Sequence, residues 1–278
     1  MTILITGSRG GIGAGLLHRL SASGHDVRAA SRAPEQADPP PGVTAVALDL
    51  ADATTFAPAL AGVTDVFLYA EPTRIERLLD AAVSAGVRRM VLLSSDSVNL
   101  PNAEHNALAR HHLLVERALR AAPLTSTVLR PGGFATMTLG WAESIRADRP
   151  IEQAYPEARL DVIHPQDIID VAESSLTTHA LDGETISLGG PEVLSFRDQA
   201  RILGDLLNRE IELRAPAPEQ AAAHLSAHVP APFVAAVLDY WAQLSDRRIE
   251  ASRTAERITG RPGRTFRQWV TENLASFR

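Results

Sequence analysis

The residues with the clearest chemical purpose lie at the start of the chain: Thr6-Gly7-Ser8-Arg9-Gly10-Gly11-Ile12-Gly13. They follow a β-branched run, Thr2–Thr6, and open a helical pattern carried by Ile12, Leu16, Leu17 and Leu20. That context makes the glycines a phosphate-holding loop of the dinucleotide type. Gly7 makes the tight turn, Gly10 or Gly11 lets the backbone approach a pyrophosphate, and Gly13 lets helix and strand pack closely. The free N–H groups and the dipole at the helix start favour an anion. A second strand, Asp26–Ser31, ends Ala29-Ala30-Ser31-Arg32. A site for an unphosphorylated ribose carries Asp or Glu at that point. Here Arg32, with Arg9 from the loop, predicts bidentate pairing with a 2′-phosphate, and so NADPH in preference to NADH.

Proton-transfer chemistry has fewer candidates. The chain has no cysteine, and all 27 of its Lys+Arg residues are arginine. Disulfides, thiolate zinc sites, cysteine nucleophiles, lysine Schiff bases and Walker-type phosphate loops are thereby excluded. Asp167 and Asp170 read as the acidic start of a helix, no group of residues has metal-ligand spacing, and no metal is expected. Histidine titrates near the working pH, which brings forward His112 or His111 on one helix and His164 on a later loop. Ser95 follows a strand's carboxyl end, the side on which open α/β sheets bind ligands. Phe134, Met137 and Trp141 are either walls of an apolar substrate pocket or ordinary core.

The elements that must position these residues alternate. Strands are expected at Thr2–Thr6, Asp26–Ser31, Val43–Leu48, Asp65–Tyr69, Arg89–Leu93, Thr125–Leu129 and Thr185–Leu188. Helices are expected after Gly10, over Phe56–Gly62, Thr73–Ala85, about Ala103–Ala122, and Gln166–Thr178. Alternation of this kind implies βαβ units and a doubly wound parallel sheet, an α/β Rossmann fold. The rhythm changes after Gly190-Pro191. A helix over Phe196–Leu207 and a strand over Ile211–Arg214 lead into a mostly helical stretch, 218–278. The expected organisation is a nucleotide-binding domain over 1–190 and a smaller, mainly helical substrate cap over 191–278, with 134–160 contributing to the substrate pocket. The 278 residues and the 45% hydrophobic content suffice for a sizeable core, and the net charge of −6 argues against a nucleic-acid surface. The opening residues do not read as a signal peptide, and no apolar stretch is long enough to span a bilayer, so a cytoplasmic, non-membrane protein is expected.

Five segments in family order resemble the NmrA-like, atypical members of the short-chain dehydrogenase/reductase superfamily. They are the glycine loop, Asp49-Leu50 after the third strand, residues 81–95, Thr127-Val128-Leu129-Arg130-Pro131-Gly132-Gly133-Phe134, and residues 189–196. The resemblance implies that Asp49 and Leu50 lie on the adenine side. It also implies that Tyr69, Ala70, Glu71 and Ser94 line the cofactor site and that Pro131, Gly132, Gly133 and Phe134 border the nicotinamide. The superfamily's catalytic serine corresponds to Ser95. Its lysine position falls on His112 and its tyrosine position on Leu108, so the Tyr–Lys pair is absent. Three sources remain for the proton of a carbonyl reduction. A histidine could give it, Ser95 could hydrogen-bond the developing alkoxide, or the substrate could bring its own acid. The expected activity is NADPH-dependent reduction of a carbonyl in a hydrophobic aromatic or polyketide compound, with Phe134, Met137, Trp141 and His164 on the substrate side. Atypical ketoreductases of angucyclinone antibiotic pathways, such as that of simocyclinone biosynthesis, are a more distant likeness. The alternatives are a quinone reductase and a non-enzymatic NADP(H) sensor.

Overall fold

The computed structural model describes residues 1–227 and 229–278. His228, inside the stretch read as helical, lies outside the described residues. In chain order the elements begin β1 (Thr2–Ile5), α1 (Gly11–Ala22), β2 (Asp26–Ser31), β3 (Thr44–Ala47), α2 (Phe56–Leu60), β4 (Asp65–Tyr69) and α3 (Ile75–Ala85). There follow β5 (Arg89–Leu93), α4 (Ala107–Ala121), β6 (Thr125–Pro131), α5 (Ala142–Arg146), β7 (Ile151–Glu152), β8 (Arg159–Asp161), α6 (Pro165–Thr177) and β9 (Thr185–Leu188). The chain ends with β10 (Val193–Ser195), α7 (Phe196–Leu207), β11 (Leu213–Arg214), α8 (Pro218–Ser226), α9 (Ala231–Asp246), α10 (Thr254–Thr259) and α11 (Phe266–Glu272).

Contacts divide the chain into two units. The first comprises Met1–Val98, Arg110–Pro131 and Gln166–Ser187, and the second Asn99–Ala109, Gly132–Pro165 and Leu188–Arg278. A seven-stranded sheet in the order β3-β2-β1-β4-β5-β6-β9 organises the first unit, with parallel pairing from β3 through β6. The strand sequences explain the parallel arrangement. All five residues of β5 are buried, as are four of five in β4, which is what a sheet covered on both faces demands. α3 supplies part of the cover: Ile75, Leu78, Leu79 and Ala82 recur at helical spacing and are all buried. They join Leu4, Leu68, Leu92, Phe56, Leu60, Val115 and Leu119 in one core.

Buried charges of the first unit are tied into pairs. Arg89 gives Nε–H to Asp65 Oδ1 at 2.6 Å and its other nitrogens to the carbonyls of Thr178 and Leu176 at 2.5 Å. Breaking one side of such a pair would strand the other charge. Arg19 pairs with Asp170 and gives a second hydrogen bond to Gln166 at 2.6 Å, tying α1 to α6. Asp170 thus serves packing.

The second unit has two short strand pairs, β10 antiparallel to β8 and β11 parallel to β7, around Trp141, Phe196, Trp241, Phe266, Trp269 and Phe277. This division differs from the linear boundary at residue 190. Residues 132–165 belong with 188–278 because β7 and β8 find their partners there. Residues 99–109 belong with them because Asn102 and Asn106 each donate to Asp239 Oδ2 at 3.0 Å. Gln243 donates to the same oxygen at 3.0 Å and to Asn102 Oδ1 at 3.1 Å. These donors, Asn102 first, hold the Asp239 carboxyl below the usual range. The second unit consequently spans nearly as much chain as the first rather than being a small cap. No helix among the described residues is long and apolar enough to cross a membrane.

Candidate nucleotide-binding site

Strand order reverses between β1 and β4, and the crevice beyond their carboxyl ends is where open α/β sheets take ligands. β1 leads there into the glycine loop. Gly7 has φ +60°, a left-handed conformation that favours glycine, and Gly10 N–H closes the turn on the Gly7 carbonyl at 2.9 Å. A Cβ at Gly13 would lie 2.3 Å from the Gly7 carbonyl oxygen, a backbone clash that only glycine avoids. Gly10 caps α1 without a side-chain hydrogen bond, and the first turn closes with Ala14 N–H to the Gly10 carbonyl at 2.8 Å. The amides ahead of Ala14 are the donors a helix cannot satisfy itself; Gly10 gives its own to Gly7 and Gly13 its own to Tyr69, and those of Gly11 and Ile12 suit an anion. Ser8 Oγ donates to the Ala30 carbonyl at 2.8 Å, and Tyr69 N–H donates to Thr6 Oγ1 at 2.8 Å, so β2 and β4 both brace the loop.

A cavity of about 420 Å³ opens on this loop. It brings together Gly7, Ser8, Arg9, Gly10, Ser31, Arg32, Asp49, Leu50, Tyr69, Ala70 and Glu71, all singled out in the sequence. Thr6, Ala30, Leu48 and Ala51 complete the wall; nothing in their side-chain chemistry marks them in advance. Neither Arg9 nor Arg32 forms an ion pair or hydrogen bond with a described residue, whereas Arg19, Arg89 and Arg130 are all paired. Asp49 Oδ1 accepts from Ala51 N–H at 3.0 Å, leaving its other oxygen for a ligand. Glu71 Oε1 instead takes both donors of Thr73, at 2.9 and 2.5 Å. The glycine cradle and the two unneutralised guanidinium groups fit a dinucleotide carrying an additional phosphate.

Three residues expected at the cofactor do not line this cavity. The Ile12 side chain is buried in the core, and Gly11, though exposed, does not line the cavity. Ser94 is buried and gives its hydroxyl to Glu116 Oε1 at 2.5 Å. Glu116, only 1% exposed, also receives Arg130 Nε–H at 3.0 Å and Nη2–H at 2.5 Å. Glu116 shares its helix face with His112 and Arg120 at four-residue spacing, so it reads in the sequence as one of a row of surface charges. Pro131 ends β6 in the first unit, and Gly132, Gly133 and Phe134 open the second. A Cβ at Gly132 would meet Asp161 Oδ1 at 2.2 Å, and one at Gly133 would meet Leu160 Cδ2 at 2.5 Å. Packing inside the second unit therefore favours glycine at 133, while at 132 only the tip of Asp161 stands in the way.

Of the proton-transfer candidates, Ser95 Oγ accepts from Ser97 N–H at 3.2 Å, which leaves its own hydrogen for another acceptor. His111 Nε2 donates to the Ala70 carbonyl at 3.0 Å and so braces the cavity wall. His112 Nδ1 is buried without a partner. Burial first, then the neighbouring His111, pushes its pKa down to about 4, with Glu116 opposing. His112 is neutral at neutral pH, which corrects its reading as a ready acid. His164 is 3% exposed and pairs with Glu272 Oε2 at 3.1 Å. Among the described residues, no group of three or more His, Asp or Glu side chains could hold a metal ion.

The second unit holds a larger cavity, about 870 Å³, lined by Met137, Trp141, Phe196, Leu225, Val237 and Trp241 among others. Trp141 and Phe196 meet edge to face at 6.1 Å, and Phe196 and Trp241 at 5.2 Å. Met137 and Trp141 both line this pocket, whereas Phe134 and His164 do not. Its charged residues are paired, Arg149 with Glu143 at 2.7 Å and His224 with Glu152 at 3.0 Å within the wall, and Arg214 with Glu212 at 2.6 Å beside it.

Residues 7–161 match the model of a protein family described as NAD(P)H-binding. A Streptomyces griseus protein named (4-alkanoyl-5-oxo-2,5-dihydrofuran-3-yl)methyl phosphate reductase is 33% identical over 99% of both chains. An NAD(P)H azoreductase of Xenophilus azovorans is 26% identical, again over 99% of both. Among solved structures, the NADPH-dependent quinone oxidoreductase of Escherichia coli complexed with NADPH superimposes with a TM-score of 0.84 at 20% identity, covering 99% of this chain and 100% of that one. Citrobacter triphenylmethane reductase complexed with NADP(H) gives 0.81 at 19% identity, covering 98% and 99%.

Proposed function

The chain belongs to the NAD(P)H-binding, NmrA-like branch of the atypical short-chain dehydrogenases/reductases and is an NAD(P)H-dependent reductase; from that premise we propose that it uses NADPH to reduce a hydrophobic aromatic acceptor which supplies or dispenses with its own acid. The observation that carries this reading is the second unit's cavity, walled by Trp141, Phe196 and Trp241 and with its charged lining residues each held in an ion pair. A neutral aromatic compound suits such a wall, and an unpaired anion does not.

When bound, a reduced nicotinamide supplies the hydride. The chain's contribution is to hold the dinucleotide by its loop amides, Arg9, Arg32 and Asp49. Ser95 offers a hydrogen bond to oxygen that gains negative charge. His112, neutral, gives no acid limb. A quinone needs no strong acid, because the oxygen that gains electrons becomes a stabilised phenolate. An aromatic ketone with a neighbouring phenol protonates its own oxygen through an internal hydrogen bond. We favour such a ketone, of the polyketide kind, and take quinone reduction as the second reading because a fold relative is named for it.

The test is optical. NADPH oxidation is followed with a quinone, with an aromatic ketone bearing an ortho phenol, with the same ketone O-methylated, and with no acceptor. The reading expects turnover with the first two and a loss of at least about tenfold on methylation of the ketone, the worth of one hydrogen bond. It further expects kcat/KM to show no acid limb from His112 in the ordinary imidazole range. Equal rates for phenol and methyl ether, with an activity limb that His112→Gln abolishes, would overturn it.

A further inference from the structure

The Tyr69 side chain is seated on the glycine loop. Its phenol oxygen accepts the N–H of Gly13, a first-turn amide of α1, at 3.3 Å. The ring fills the space over Gly7: a Cβ built there would meet Tyr69 Cε2 at 2.5 Å, and one at Gly10 would meet the phenol oxygen at 3.5 Å. The edge of Phe67, with ring centroids 5.8 Å apart, and the backbone bond to Thr6 fix the ring from behind. The same residue forms part of the cavity wall beside Gly7–Gly10 and Arg9. A phenol has one hydrogen to give and lone pairs to receive. Receiving from Gly13 commits the oxygen as an acceptor and leaves its O–H to point elsewhere, among amides that already select for an anion.

We propose that the Tyr69 phenol is a pyrophosphate ligand of the dinucleotide, anchored by Gly13 N–H and donating its hydroxyl hydrogen to a phosphate oxygen. This rests on the nucleotide site described above and adds to it a neutral donor where the chain has no lysine to use. Burial raises the phenol's pKa, so the donor keeps its proton across the physiological range. The role is distinct from that of Arg9 and Arg32. Those two distinguish phosphorylated from unphosphorylated ribose, whereas Tyr69 acts on the part that NADPH and NADH share.

The variant is Tyr69→Phe, read by calorimetry with NADPH, NADH, ADP and 2′-AMP. Loss of one hydrogen bond to a charged group predicts dissociation constants about tenfold higher for NADPH, NADH and ADP alike. Affinity for 2′-AMP, which has no pyrophosphate, stays at the wild-type value. Unchanged binding of NADPH, or an equal loss for 2′-AMP, overturns the assignment. Should wild-type protein bind none of the four, the nucleotide site itself fails, a result distinguishable from failure of Tyr69 alone. If Tyr69→Phe does not fold, the wild-type crystal structure with NADPH decides. The phenol oxygen is expected within hydrogen-bond distance of a pyrophosphate oxygen, and a phenol turned away refutes the proposal.

Discussion

Replacing Arg9 and Arg32 together by alanine is expected to raise the dissociation constant for NADPH about 100-fold while leaving that for NADH within about threefold, because each guanidinium contributes a charge-assisted bond of about 1.5 kcal/mol or more. Both arginines lie on the wall of the nucleotide cavity, and among the described residues neither has a carboxylate partner to release. Their loss is therefore expected to remove the proposed 2′-phosphate contacts without stranding a partner. The effect is screened by salt, so the two nucleotides must be compared at one ionic strength. Single variants are expected to divide the loss, and a salt series should flatten for NADPH in the double variant. Equal weakening of NADPH and NADH would remove the case for the 2′-phosphate and leave only the pyrophosphate cradle.

The second large effect concerns stability. Glu116→Ala is expected to cost about 3 kcal/mol, because it removes the buried carboxylate that receives Ser94 and the part-buried Arg130. In a chain of this length that lowers the melting temperature by about 10 °C. Glu116 receives Ser94 from the end of β5 and Arg130 from β6, so it ties α4 to both strands. Glu116→Gln still accepts from Ser94 and one arginine nitrogen, and falls between the two. Combining Glu116→Ala with Arg130→Met removes both charges and should recover part of the loss, since an apolar replacement of a buried ion pair is often neutral. A melting temperature for Glu116→Ala within about 3 °C of wild type, equivalent to about 1 kcal/mol, would show that the pair is not buried in effect.

The elements that were legible in the sequence are those whose pattern is local. Asp26–Ser31, Asp65–Tyr69, Arg89–Leu93, Thr185–Leu188 and Phe196–Leu207 coincide with β2, β4, β5, β9 and α7. Each is an apolar run or a helical repeat long enough to declare itself. β7, β8 and β10 escaped because two or three residues cannot show alternation, and they exist only through distant partners. The helix expected from Ala103 starts at Ala107, because the Asn102 and Asn106 side chains turn the preceding loop toward Asp239. No neighbour in sequence announces that partner.

The site divides in the same way. A strand, a glycine loop and a helix specify the phosphate cradle from consecutive residues, and Arg32 follows from the position of β2's end. Ser94 and Ser95 are adjacent, yet their roles diverge. Ser94 turns inward to Glu116, whereas Ser95 keeps a hydrogen to give. Alternation along β5 could have separated them, but only once the buried face had been assigned. His112 shows the other limit. Its place on the helix was readable, while its depressed pKa comes from burial that no local pattern states.

The central claim is that loop amides and two arginines hold NADPH on the first unit. Calorimetric titration of the purified, folded protein with NADPH and with NADH tests it most directly. Saturable one-to-one binding is expected for both, tighter for NADPH by about 100-fold if both arginines reach the extra phosphate. Absence of binding by either nucleotide would contradict the account from its base, and tighter binding of NADH would contradict its assignment of Arg9 and Arg32.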